Sequence, residues 1–148
     1  MSTFNARKGN TSGVGLSSTG TGGPYHVRNI VNLATSGASS GGVIAANDII
    51  QVLTLPQETW VHAMGVDVQT VNTSAGSMQL SAAGFIIAAA SNGNISAGVG
   101  QQGFAVSAAC FPFFNSAAST VELVLTSGTI SAADGVIRVY AVLTNANA

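Results

Sequence analysis

From Tyr25 onward apolar and polar residues alternate with a period near two, and no apolar stripe at helical spacing runs longer than two turns. Asp48 to Leu55 (DIIQVLTL) sets Ile50 and Val52 on one face and Ile49, Leu53 and Leu55 on the other. This predicts a strand buried on both sides and ended by Pro56. Thr59 to Val71 alternates Trp60, His62, Met64, Val66 and Val68 against Val61, Ala63, Gly65, Asp67 and Gln69, which predicts a long strand bent at Gly65. Ser77 to Ala90 and Gly103 to Ala109 predict two more strands, separated by the turn-rich SNGNISAGVGQQ. Thr120 to Thr126 and Val136 to Thr144 predict a closing pair joined by SGTISAADG, with Gly128 and Gly135 as turn residues. The alanines of 86 to 90 and 105 to 109 could form a helix, but the flanking Ile, Phe and Val favour strands. Six to eight strands with turn signals every ten to twenty residues or so predict an all-β antiparallel sandwich or jelly roll, in which two sheets protect each other's apolar faces.

Residues 1–23 (MSTFNARKGNTSGVGLSSTGTGG) break this pattern. Gly, Ser, Thr and Asn dominate, and only Phe4, Val14 and Leu16 are sizeable apolar groups. Such a segment cannot bury itself, so it reads as an extended arm ordered by a partner surface or folded back on its own body. The expected organisation is an arm over 1–23 and a single sandwich domain over 24–148.

Charge changes the picture more than length does. The chain has 148 residues, of which nine are charged, 6% where soluble domains carry roughly 25%. Spread over the roughly 7,000 Å² expected for this mass, that is about one charge per 800 Å², sparse for a particle that stays soluble alone. Residues 68 to 121 hold no Asp, Glu, Lys or Arg, yet contain five of the six Phe residues. A stretch of that length includes loops, and loops on a free surface carry charge. Part of it is therefore expected to face protein, and CFPFFN (Cys110 to Asn115), with Phe111, Phe113 and Phe114, is the expected centre of a subunit interface, because such centres deplete charge and enrich aromatics. The competing reading is a core strand kinked by Pro112.

Composition also removes function classes. A net charge of −1 gives no field for phosphate backbones, which argues against nucleic-acid binding. The longest nearly apolar run, Ala82 to Ala90, is half the length of a membrane-spanning helix. No apolar stretch follows the basic residues of MSTFNARKGN, so no secretory signal is expected. The lone Cys110 has no intrachain disulfide partner and reads as a small buried hydrophobe.

Little is available for catalysis. His26 and His62 lie thirty-six residues apart without a Cys or carboxylate at ligand-like spacing. The five acidic residues, Asp48, Glu58, Asp67, Glu122 and Asp134, are isolated along the chain, and no G-x-S-x-G, S-x-x-K or G-K-[ST] string occurs. No enzymatic activity, cofactor or metal is expected. Arg28 and Arg138 fall in expected strands and would point outward or pair with a carboxylate such as Glu122. Arg7 and Lys8 could pin the arm to an acidic neighbour.

Three blocks carry a resemblance. IAANDIIQVLTLPQETWVHAMGVDVQT (Ile44 to Thr70), SAAGFIIAAA (Ser81 to Ala90) and TVELVLTSGTISAADGVIRVYAVL (Thr120 to Leu143) resemble, in order and spacing, small β-sandwich virion proteins of tailed bacteriophages. The matching traits are an apolar strand ending in Leu-Pro, a V-x-A-x-G-V-x-V strand, a Gly-Phe step and a closing hairpin whose last strand reads I-R-V-Y-A-V. Such proteins are often capsid decoration or cement proteins. The resemblance implies a homotrimer bound to the major capsid protein on the outer surface of an icosahedral head, with Phe4, Arg7 and Lys8 of the arm as capsid contacts. The alternative from another class is a tail-fibre or lectin-like adhesin that binds host glycans.

Overall fold

The computed structural model describes residues 1, 3–5, 23–33, 43–70, 76–88, 107–131 and 135–146. Arg7, Lys8, Phe104 and most of the expected arm lie outside them. Among the described residues ten strands form two sheets: β1 (Thr3–Asn5), β2 (Tyr25–Asn32), β3 (Val43–Ala45), β4 (Ile49–Leu55), β5 (Thr59–Thr70), β6 (Gly76–Ala82), β7 (Phe85–Ala88), β8 (Phe113–Asn115), β9 (Ser119–Ser131) and β10 (Val136–Asn145). One sheet runs β1-β4-β9-β6-β7, with β3 also on β9, and the other runs β2-β10-β5-β8. The all-β sandwich expected from alternation is the fold observed, and every pairing but that of β1 with β4 is antiparallel. The inner faces share one core, in which Leu33, Ile44, Ile50, Leu53, Leu55, Met78, Leu80, Ile87, Leu123 and Leu125 are fully buried. Each such aliphatic side chain contributes about 1.5–3 kcal/mol by leaving water.

Bulges decide which residues reach that core. In β4 the register steps from Gln51 opposite Glu122 to Leu53 opposite Val121, so Val52 is an extra residue. The step turns Ile50, Val52, Leu53 and Leu55 all inward. The strand buried on both faces expected from periodicity is thus a strand with one buried face, rephased midway. The carbonyl of Val52 accepts a 2.7 Å hydrogen bond from Nδ2 of Asn29, a buried residue of β2 in the opposite sheet. In β5 the extra residue is His62, because Val61 lies opposite Leu143 and Ala63 opposite Val142. Thr59 and Val61 therefore face inward before the bulge and Met64, Val66 and Val68 after it, while Trp60 and His62 stay outside.

The bend expected at Gly65 is not where this strand departs from regularity. Gly65 pairs in register with Tyr140, and a Cβ there would collide with the Tyr140 ring and its hydroxyl. The glycine makes room for the ring across the ladder. The single strand expected over Ser77 to Ala90 is the β6–β7 hairpin. Ala83 (φ 51°) and Gly84 (φ 82°) turn it with two left-handed residues, as tight hairpins require. The closing hairpin is also corrected: β9 and β10 belong to different sheets and do not pair with each other. Gly128 lies inside β9, and the described end of Gly103 to Ala109 is part of a 3₁₀ turn, Ala108–Cys110, rather than a strand.

The beginning of the expected arm adds to this chain's own sheet. Thr3–Asn5 pairs in parallel with Ile49, Ile50 and Gln51, with Phe4 opposite Ile50, and so covers the outer edge of β4.

Asn29→Ala should lower stability by about 1–3 kcal/mol in chemical denaturation, because it leaves the buried Val52 carbonyl without its donor. A loss below about 0.5 kcal/mol would remove this bond from the set that joins the sheets.

Candidate interaction surface

The aromatic residues of CFPFFN separate according to the alternation of β8. Phe113 faces inward at 8% exposure as part of the core, Phe114 faces outward at 44%, and Asn115 faces inward again. Phe111 is partly buried, packs against the core, and has its ring centroid 5.9 Å from that of Phe113. Of the three residues expected at a subunit interface, Phe113 is thus a core residue of the single chain, since a ring sealed between its own sheets offers almost no surface to a neighbour. Phe114 remains available.

Asn115 explains why so short a strand is well placed. Its Nδ2 donates to the carbonyls of Leu55 (3.3 Å) and Pro56 (2.6 Å), and its Oδ1 accepts from the Ser119 hydroxyl (2.8 Å). One buried amide thereby ties β8 to the end of β4 and the start of β9. Thr59 Oγ1 donates to the Pro56 carbonyl at 2.8 Å and fixes the same corner.

With β8 held there, Phe114 lies directly across the ladder from Trp60, and the ring centroids are 5.3 Å apart at 50°. Trp60 is itself 42% exposed. Aromatic pairs at this separation gain about 0.5–1.5 kcal/mol beyond burial, so the pair forms a stiff apolar platform on the outer face of the four-stranded sheet. Next to it, His62 Nε2 shares a 2.8 Å hydrogen bond with Thr144 Oγ1. Further along that face, the Arg138 guanidinium of β10 pairs with Asp67 of β5 directly across the ladder, its Nε 2.9 Å from Oδ2, and Arg28 is exposed on β2 across from Tyr140. The Glu122 partner expected for Arg138 is on the other sheet.

A second exposed apolar pair, Phe85 and Ile86, stands on β7 at the margin of the six-stranded sheet. Phe85 leans on Phe113 with centroids 5.4 Å apart. The free edge of β7 is partly closed: Ser107 N donates to the Ile87 carbonyl (3.0 Å) and the Cys110 thiol to the Ile86 carbonyl (3.4 Å). This edge is therefore less open to strand addition than a bare one.

Sequence reasoning missed Trp60 and Ile86 as surface groups. Alternation puts Trp60 on one face with Met64, and only the His62 bulge separates them; it puts Ile86 in a continuous strand, and only the Ala83–Gly84 turn shows it. Among the described residues no group of three or more His, Cys, Asp or Glu is disposed to hold a metal, and no helix is long and apolar enough to cross a membrane. Phe4 is placed by its backbone on β4, whereas Arg7 and Lys8 lie outside the described residues.

Neither the known family models nor the curated proteins contain a match to this chain. Among solved structures, the fold is similar to that of the capsid of Ralstonia phage GP4, with a TM-score of 0.55 over 84% of this chain and 85% of that one, at 17% identity. The chain is a two-sheet β-sandwich. Its architecture resembles that of a phage capsid chain, as the three sequence blocks imply.

Phe113→Ala should cost about 3–5 kcal/mol of folding stability, as buried aromatic truncations do, and Phe114→Ala about 1 kcal/mol or less. Equal losses in denaturant titrations would contradict the inward and outward assignment.

Proposed function

We propose that this chain is a structural virion protein, a decoration or cement subunit that binds the outer surface of a tailed-phage head as a homotrimer. The observation that carries the reading is the Trp60–Phe114 platform, an exposed, uncharged pair of tilted rings on a sandwich whose fold resembles a phage capsid chain. Rigid aromatics at the centre of a charge-poor patch are what subunit contacts are built from. The strand orders support a jelly roll: apart from β1 and β3, the four strands β2-β10-β5-β8 face the four strands β4-β9-β6-β7, and the β6–β7 hairpin alone joins sequential neighbours within a sheet. Phe114 and Trp60 would supply the contact between copies. Beyond Asn5, the arm with Arg7 and Lys8 would reach the major capsid protein.

A cement subunit works by mass action. Binding the expanded shell and not its precursor adds the binding free energy of every occupied site to the expanded form, and a trimer multiplies weak contacts by holding three copies together. Such a role requires a rigid body and a repeated patch, and no reactive group.

The test mixes purified chain with expanded heads that lack it, then measures co-sedimentation and the temperature at which packaged DNA escapes. Saturable binding with a higher escape temperature is expected. Phe114→Asp should sediment as a folded monomer and bind heads at least about 10-fold more weakly. Absence of head binding, with binding to host-cell glycans instead, would replace this reading with the adhesin.

A further inference from the structure

The ends of the two sheets meet along one edge of the sandwich. β7 ends the six-stranded sheet and β8 the four-stranded sheet, and the Phe85 ring of β7 lies against the Phe113 ring of β8 with centroids 5.4 Å apart. Phe85 pairs with buried Ala82, so its side chain is on the inner side of its sheet, yet it is 50% exposed. Ile86, on the outer side opposite Ser81, is 56% exposed. Phe114 and Trp60 stand on the outer side of the other sheet, round the same edge. Of the large apolar side chains exposed among the described residues, the two others, Met1 and Ile30, lie before β1 and on β2, at the far ends of the sheets. β7, β8 and residues 107–112, which lead into β8, hold no charged residue.

Symmetry makes a demand that the Trp60–Phe114 platform meets only in part. Three identical copies around a threefold axis join head to tail, so each offers one patch to one neighbour and a different patch to the other. The ladder registers supply a counterpart to the platform. Phe114, Trp60 and Thr144 lie in one row across β8, β5 and β10, and His62 is hydrogen-bonded to Thr144 at the end of it. Ile86, Ser81 and Glu122 lie in one row across β7, β6 and β9. Each row spans two strand spacings, about 9.5 Å. Each starts at the shared edge with an exposed apolar side chain, and the Phe85–Phe113 contact beside those two side chains sets the rows at the same level. The far ends are complementary. With the Thr144 hydroxyl donating to His62 Nε2, Nδ1 carries the proton and can donate it to a carboxylate such as Glu122.

We propose that the β7 margin, Ile86 with Ser81 and Glu122, is the second contact patch of the homotrimer. With the β7–β8 edge at the threefold axis, it receives the Trp60–Phe114 platform of a second copy, Ile86 against Phe114 and Glu122 against His62. This second contact rests on the homotrimer reading and supplies the half of it that the platform alone leaves open. It also covers the exposed part of Phe85, which stands next to the axis.

Sedimentation velocity measures the assembly, and disulfide trapping measures the pairing. The full chain should sediment as a trimer, and Ile86→Asp should raise the concentration at which the trimer dissociates at least about 10-fold, as a charge set into a desolvated contact does. In a Cys110→Ala background, His62→Cys and Glu122→Cys in the same chain should oxidise to a covalent trimer on a non-reducing gel, while either one alone should run as a monomer. The two positions are on the outer faces of opposite sheets, too far apart to bridge within one chain. A trimer that Ile86→Asp leaves equally tight, or one in which the paired cysteines stay unlinked, overturns the β7 assignment while the homotrimer reading stands. A full chain that remains monomeric overturns both. Should Ile86→Asp unfold, the paired cysteines decide alone.

Discussion

The hydrogen bond from Asn29 to the carbonyl of Val52 joins the two sheets at the place where β4 loses its register. A bulge inside a sandwich is costly unless its unpaired carbonyl finds a donor, because a buried polar group without a partner loses about 1–3 kcal/mol. Without the bulge, Leu53 and Leu55 would turn away from the core, and the apolar end of β4 would have no cover. With it, one strand delivers Ile50, Val52, Leu53 and Leu55 to the same side. Asn115 does the equivalent work at the other end of β4, where it binds the Leu55 and Pro56 carbonyls and sets β8 in place. The surface aromatics are a consequence. Phe114 reaches Trp60 because Asn115, its neighbour in β8, is anchored inward.

Once the core is closed, the outside differs from one sheet to the other. The four-stranded sheet presents the Trp60–Phe114 pair at one end and the Asp67–Arg138 pair further along, with exposed Ile30 directly across the ladder from Arg138. The outer face of the six-stranded sheet presents Gln79, Ser81 and Glu122, with exposed Ile86 across the ladder from Ser81. Low charge therefore leaves two outer faces with different side chains.

Alternation made the sandwich legible from β2 and β10, whose inward residues Val27, Val31, Ile137, Val139, Ala141 and Leu143 follow period two without interruption. It failed at Val52 and His62, because a bulge inserts one residue without any distinctive composition and inverts every later assignment. The Ala83–Gly84 turn was hidden for a related reason: alanine rarely takes positive φ, so SAAGFI reads as strand. The change of sheet between β9 and β10 is a long-range choice, made by which edge each strand covers, and local turn residues carry no record of it. The aromatic cluster was visible in composition. Its division into core Phe113 and surface Phe114 required the register of β8 on β5.

Trp60 is the sole tryptophan of the chain, so its fluorescence reports directly on the surface through which copies are held to meet. Emission maximum and acrylamide quenching, recorded against protein concentration alongside light scattering, test that contact without any substitution. The dilute monomer should emit further to the red and be quenched more readily than the assembled form, in keeping with a half-exposed Trp60. As the scattering mass rises to that of a trimer, the emission should move to the blue and the quenching should fall. A trimer that forms while Trp60 keeps its water-exposed emission and quenching would contradict the assignment of the Trp60–Phe114 platform as the contact.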